Sequence, residues 1–191
     1  RRLREAEVRV HVRACDVRES PDVRRFVAEV LEELGGIHIL INNAALFSTL
    51  ENRPFEDYSS DEWMQVMRVN TLGPFICAKA VAPHMKAQQW GRIINVASTS
   101  ALKGLSNMAH YVTSKGAVIT FTRVLARELG AWNITANALL GNTISVVGNV
   151  TGNYFIGNGS LLPGISGGGR YSDANVVTLL ASYGSTTLST T

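Results

Sequence analysis

From Val8 to Ala14 apolar and polar residues alternate, and this period of two predicts a strand ending at Asp16. The period then changes. Ser20-Pro21-Asp22 has the form of a helix start, with serine as cap and proline at the first helical position. Val23, Phe26, Val27, Val30, Leu31 and Leu34 follow at helical spacing until Gly35-Gly36 stops the run. Ile37 to Ile41 predicts a second strand, opening onto Asn42-Asn43-Ala44-Ala45. Ser59-Ser60-Asp61-Glu62 has the spacing of a capping box. It heads a helix through Trp63, Met64, Val66, Met67 and Val69 that runs on toward Met85 across Gly73-Pro74 and Pro83. Trp63, Met64 and Met67 are expected in the core. Residues 92–97 predict a buried strand, 109–129 a helix and 133–139 a last strand. Strands alternating with helices imply an α/β fold, a mainly parallel sheet with helices on both faces.

Composition divides the chain. Residues 1–141 carry 31 of its 33 charged residues, whereas 142–191 keep only Arg170 and Asp173 and are rich in Gly, Asn, Ser and Thr. The first part reads as an α/β domain. The second reads as a low-charge tail, either short β segments joined by Gly-Asn turns, as in Val147 to Leu162, or a poorly ordered stretch.

Charge and chemistry narrow the function classes. A net charge of +3 with acids and bases interleaved is no nucleic-acid footprint. No apolar run reaches membrane-spanning length and no signal peptide opens the chain, so the expectation is a cytoplasmic protein. Cys15 and Cys77 lack metal spacing and are expected as buried, reduced thiols. His38 and His84 have no neighbours that suggest a metal, and His110 is expected as a partly exposed residue at a helix start. The sequons at Asn133, Asn149 and Asn158 are expected to be unmodified.

One constellation carries chemistry. Tyr111 and Lys115, four residues apart on a helix, share a face. An ammonium held near a phenol favours the phenolate and lowers a pKa that is normally about 10. That suits a general acid/base exchanging a proton with an alcohol near neutral pH. Ser98 lies just past the strand 92–97, where open α/β sheets bind ligands.

Together these residues resemble the short-chain dehydrogenase/reductase family. The resemblance covers residues 8–141. It rests on Cys15-Asp16-Val17 after a strand, Asn42-Asn43-Ala44-Ala45 after the next, Asn70 in Arg68-Val-Asn-Thr, Ser98, and the Tyr111-x-x-x-Lys115 pair. It implies a Rossmann-like, doubly wound fold and hydride transfer between NAD or NADP and a small carbonyl or secondary alcohol. Asn70, Ser98, Tyr111 and Lys115 would be catalytic. Tyr111 would exchange the proton, Ser98 would polarise the substrate oxygen, and Lys115 would lower the tyrosine's pKa and bind the cofactor ribose. Asn70 would hold a water for proton relay. Asp16 would meet the adenine, and Val17, Asn42, Asn43 and Ala44 would complete the cofactor contacts with Tyr111 and Lys115. Pairing through the helices of Asn70 and Tyr111, common in the family, implies a homo-oligomer.

Two departures from the family pattern stand out. Its opening strand, Gly-rich turn, helix and second strand have no counterpart before Val8, and Arg1 to Glu7 reads as the end of the helix that precedes the third strand. Gly157-Asn-Gly159 and Gly167-Gly-Gly169 cannot replace the turn, since neither lies between a strand and a helix. At the other end Leu140-Gly141 stands where the family has Pro-Gly, so the sheet is expected to be incomplete at both ends. The tail resembles the repetitive β segments of phage tail fibres. The alternative to an enzyme is therefore a non-catalytic, truncated or fused remnant whose tail serves assembly.

Overall fold

Leu40, Ile93 and Ala136 lie side by side at the centre of a parallel sheet. The computed structural model describes residues 9–140 and the strand segments 143–145 and 176–179. The expected helix end at 1–7 and the Gly-Asn stretch 147–162 lie outside the described residues. In chain order the elements are α1 (Ser20–Leu34), β1 (Ile39–Asn42), α2 (Ser60–Met67), α3 (Gly73–Ala87), β2 (Gly91–Val96), α4 (Ser100–Lys103), α5 (Ala109–Leu129), β3 (Ile134–Leu140), β4 (Thr143–Ser145) and β5 (Val176–Leu179). The sheet order is β4-β3-β2-β1-β5. β5, β1, β2 and β3 run parallel, and β4 returns antiparallel to β3.

Local chemistry explains the helix limits. Gly35 ends α1 in the left-handed conformation, φ 82°, where its N–H caps the Leu31 carbonyl. At the start of α1 the expected cap moves by one residue. Glu19 holds the cap position and Ser20 begins the helix, its hydroxyl accepting from Arg24 rather than from the backbone. The capping box at Ser59 and Glu62 forms as the spacing predicts. Between α2 and α3 the helix widens into a π turn, Arg68–Leu72. Pro74 has no N–H to give the carbonyl of Asn70 four residues earlier, and a widened turn accommodates that missing bond.

The apolar stripes meet on one face of the sheet. Val23, Phe26, Val27 and Val30 of α1 cluster with Ile76, Val81 and Met85 of α3, Leu125 and Leu129 of α5, and Leu40, Ile93 and Ile134 from the strands. Asn95, on the same face of β2 as Ile93, reaches Thr122 of α5. The three long helices therefore share one face. Among the described residues no long helix covers the other, where Arg92, Ile94 and Val96 of β2 are half-buried.

Residues 9–16 form no strand or helix, contrary to the strand predicted there. The edge of β1 is taken by β5, and an isolated extended segment gains no ladder hydrogen bonds. The alternation survives with its sides reversed. Val12 is 83% exposed, while Arg13 bonds Glu29 at 2.7 Å and Asp22 at 3.0 Å, and His11 bonds Glu33 at 2.9 Å. Ion pairs, not apolar burial, lay this segment along α1.

Trp63, Met64 and Met67 are also corrected. Met64 is 48% exposed, Trp63 and Met67 are half-buried, and the buried stripe of this helix is Val66 and Val69. Cys15 and Cys77 are buried free thiols as expected, and burial pushes them up to about 11 and about 12.

Candidate active site

Three elements bring the predicted catalytic residues together. α5 presents Tyr111 and Lys115 one turn apart, both buried. The Lys115 ammonium donates to the carbonyl of Val96, the last residue of β2, at 2.7 Å, and lies 5.8 Å from the centre of the Tyr111 ring. Ser98 follows two residues beyond that strand. Its hydroxyl bonds the Ser100 hydroxyl at 2.8 Å and accepts the Ser100 N–H at 3.2 Å, and it stands close enough to the Tyr111 phenol to favour the phenolate. The π turn supplies Asn70 from the other side. Its amide donates to the Ser114 hydroxyl at 3.0 Å, and Ser114 lies on α5 between Tyr111 and Lys115. All four residues gather near the carboxyl end of β2, the position at which open α/β sheets bind ligands.

The electrostatics differ from the simple expectation for the Tyr-Lys pair. Burial raises the Tyr111 phenol above its ordinary value, and the Ser98 hydroxyl draws it part of the way back. Burial also brings Lys115 down to about 8. The ammonium points to the Val96 carbonyl rather than to the phenol oxygen, so it does not yet lower the tyrosine. Three N–H donors sit on that nitrogen, and Val96 takes one. The other two fit hydroxyl oxygens, such as those of a ribose or a substrate.

Asn70 is 1% exposed and its side chain is committed. Its amide oxygen accepts the Leu46 N–H at 2.8 Å, and its nitrogen donates to the Leu46 carbonyl at 3.2 Å as well as to Ser114. Asn70 therefore clamps the segment that follows Asn42-Asn43-Ala44-Ala45.

The expected cofactor contacts divide. Val17, Asn42 and Ala44 line one narrow hollow with Gly73, Pro74 and Cys77. Gly73 is required there, because a Cβ would stand 2.8 Å from Val17 Cγ2. Asn43 is exposed beside this hollow. The Asn42 side chain turns into the core, donating to Asn95 Oδ1 at 2.8 Å; Asn95 donates to the Thr122 hydroxyl at 2.9 Å. Asp16 is held by Arg18, whose backbone N–H and guanidinium bond both carboxylate oxygens and keep its pKa low. Arg18 supplies three donors to a carboxylate with about four acceptor sites, so an adenine amine would share the carboxylate with Arg18.

Two residues stand differently from their sequence reading. His110 is 2% exposed rather than partly exposed, because Tyr58 stacks on it with ring centres 4.1 Å apart. Phe47 drew no attention in sequence, yet its ring lies 4.9 Å from that of Tyr111. The available signal was the pair Leu46-Phe47 directly after the Asn-Asn-Ala-Ala segment.

Known proteins resemble this chain over much of its length. The family model for short chain dehydrogenases matches residues 1–150. The short-chain reductase protein NovJ of Streptomyces niveus is 39% identical over 137 residues, 72% of this chain and 51% of the relative. Among solved structures, an NAD+-bound xylitol dehydrogenase is 39% identical with a TM-score of 0.69, covering 72% of this chain and 52% of that one. A gluconate 5-dehydrogenase from Burkholderia cenocepacia, solved with NADP and tartrate, is 34% identical with a TM-score of 0.68, covering 73% and 53%. The chain thus spans about half the length of the curated relatives it matches. With a parallel Rossmann-like sheet, the Ser98-Tyr111-Lys115 cluster and a family match over most of its length, this chain belongs to the short-chain dehydrogenase family.

Proposed function

We propose that this chain is the catalytic portion of an NAD(P)-dependent oxidoreductase that interconverts a carbonyl and a secondary alcohol, with Tyr111 as acid and base. The observation that carries the reading is the convergence of the Ser98 hydroxyl, the Tyr111 phenol and the Lys115 ammonium at the end of β2. The neighbours solved with NAD+ and with NADP support either nicotinamide.

The residues present fit such a cofactor. Lys115 has two donors to spare for ribose hydroxyls, and the hollow of Val17, Asn42 and Ala44 offers an apolar wall. When bound, the nicotinamide supplies or accepts the hydride. Ser98 donates a hydrogen bond to the substrate oxygen and holds it against the phenol. Tyr111 gives that oxygen its proton during reduction and takes it back during oxidation. Lys115, charged below about pH 8, stabilises the phenolate left behind. Asn70, bonded to Ser114 between Tyr111 and Lys115, is the residue that holds a relay water. Titration of the full chain with NADH and NADPH, followed by fluorescence, tests the reading. Saturable binding is expected, and its absence contradicts it.

The second reading, a non-catalytic remnant, draws support from β5, since a strand of the tail occupies the sheet edge beside β1. It differs in expecting no cofactor binding. Self-association is a proposal under either reading. Leu72, Phe75 and Val124 on the π turn, α3 and α5 are 40%, 45% and 43% exposed, and Phe75 packs on Phe121. Such an apolar helix surface suits pairing with a second copy. No helix among the described residues is long and apolar enough to cross a membrane.

A further inference from the structure

Building on the Tyr111 reading above, we propose that Phe47 is a specificity-determining wall of the substrate site, and that the substrate is a ketone or secondary alcohol bearing an aryl or alkyl substituent. Phe47 contacts the Tyr111 ring at 4.9 Å with the planes 44° apart, yet it remains 54% exposed. One part of its ring is fixed by the residue that must meet the substrate oxygen. The rest is open apolar surface beside that residue. Nothing in core packing requires this, because a phenylalanine serving the core would be covered.

The position of the ring is imposed. Both backbone groups of Leu46 are held by Asn70, and the Leu46 side chain is buried at 8% exposure. The residue that follows a segment pinned in this way has little freedom to swing clear of Tyr111. The segment after Ser98 has the same character. Leu102 and Leu105, on either side of the left-handed turn at Gly104, are 66% and 51% exposed. Large apolar side chains thus stand exposed on the two segments that carry Phe47 and Ser98. A polyol would gain nothing from such surfaces and would lose water to them. An apolar substituent would bury area against the open part of the Phe47 ring.

The test uses the full chain and two ketone probes, acetophenone and dihydroxyacetone, with binding read by calorimetry and reduction read separately with NAD(P)H. Acetophenone should bind roughly tenfold or more tightly than dihydroxyacetone. Phe47→Ala should weaken acetophenone by about tenfold and leave dihydroxyacetone unchanged, and Phe47→Leu should recover part of the loss. Circular dichroism and the thermal midpoint should match the parent, since the ring is half exposed. Equal affinity for the two probes, no acetophenone binding, or an unchanged ratio in Phe47→Ala overturns the proposal. The two readings separate cleanly. Phe47-dependent binding without any reduction supports the wall and removes the acid/base reading. Tyr111-dependent reduction with an unchanged probe ratio in Phe47→Ala does the reverse.

Discussion

Asn70 holds Leu46 from both sides, accepting its N–H at 2.8 Å and donating to its carbonyl at 3.2 Å. A buried amide that satisfies two backbone groups and a serine is costly to delete, since each orphaned group costs about 1–3 kcal/mol. Asn70→Ala should lower stability in urea by about 3 kcal/mol. Asn70→Asp, which keeps the acceptor but sets a buried carboxylate against the Leu46 carbonyl, should cost at least as much as Asn70→Ala at neutral pH. A loss below ~1 kcal/mol for Asn70→Ala would show that the clamp contributes little.

Lys115 makes stability depend on pH in a definite direction. Its pKa is about 8 when folded, against an ordinary 10.5, because burial disfavours the ammonium. Between those values the unfolded chain holds a proton that the folded chain has released, so stability rises with pH. The penalty is full below about pH 8 and is relieved toward 10.5. Lys115→Met should abolish the rise, which amounts to roughly 3 kcal/mol. Urea midpoints at pH 7, 9 and 10.5 would reveal it, and an identical pH slope in the variant would contradict the assignment.

Glu62 works in the opposite sense. Hydrogen bonds from the Ser59 backbone and side chain, then from Arg53, bring its carboxyl down to about 2 from 4.5. Its contribution is present above pH 4.5 and lost as pH falls toward 2. Glu62→Gln should flatten acid unfolding in that window, and Ser59→Ala should cost about 1 kcal/mol at neutral pH through the lost cap. Acid titrations followed by circular dichroism check both.

Self-association through α3 and α5 is expected to fail when charge enters the exposed apolar surface. Light scattering on Phe75→Glu combined with Val124→Glu should report monomers where the parent reports a larger species. A parent that is already monomeric removes the proposal.

Legibility in the sequence followed the range of the forces involved. The limits of α5, the stop at Gly35 and the capping box at Ser59 depend on residues within one turn, and each was readable in place. Segment 9–16 departs from its sequence pattern because pairing is non-local: the alternation of Val10, His11, Val12 and Arg13 is real, but acids on α1 settle which side faces inward. His110 is buried for the same kind of reason, since Tyr58, which covers it, lies 52 positions earlier. Spacing and resemblance marked Ser98, Tyr111 and Lys115. The spacing implied a lowered phenol pKa, but it says nothing of the Val96 carbonyl that turns the Lys115 ammonium aside. Phe47 was invisible because an exposed aromatic acquires meaning only from what it touches.

Tyr111 is the centre of the account, and its phenol oxygen is the one atom that Tyr111→Phe removes. The decisive measurement is ketone reduction by the full chain with NADH and NADPH, comparing the parent with Tyr111→Phe at matched folding. General acid catalysis contributes on the order of 100- to 10,000-fold, so the variant should lose at least ~100-fold in kcat while its circular dichroism stays unchanged. A parent without activity, or a variant that retains the parent's rate, would contradict the assignment of Tyr111 as the proton donor.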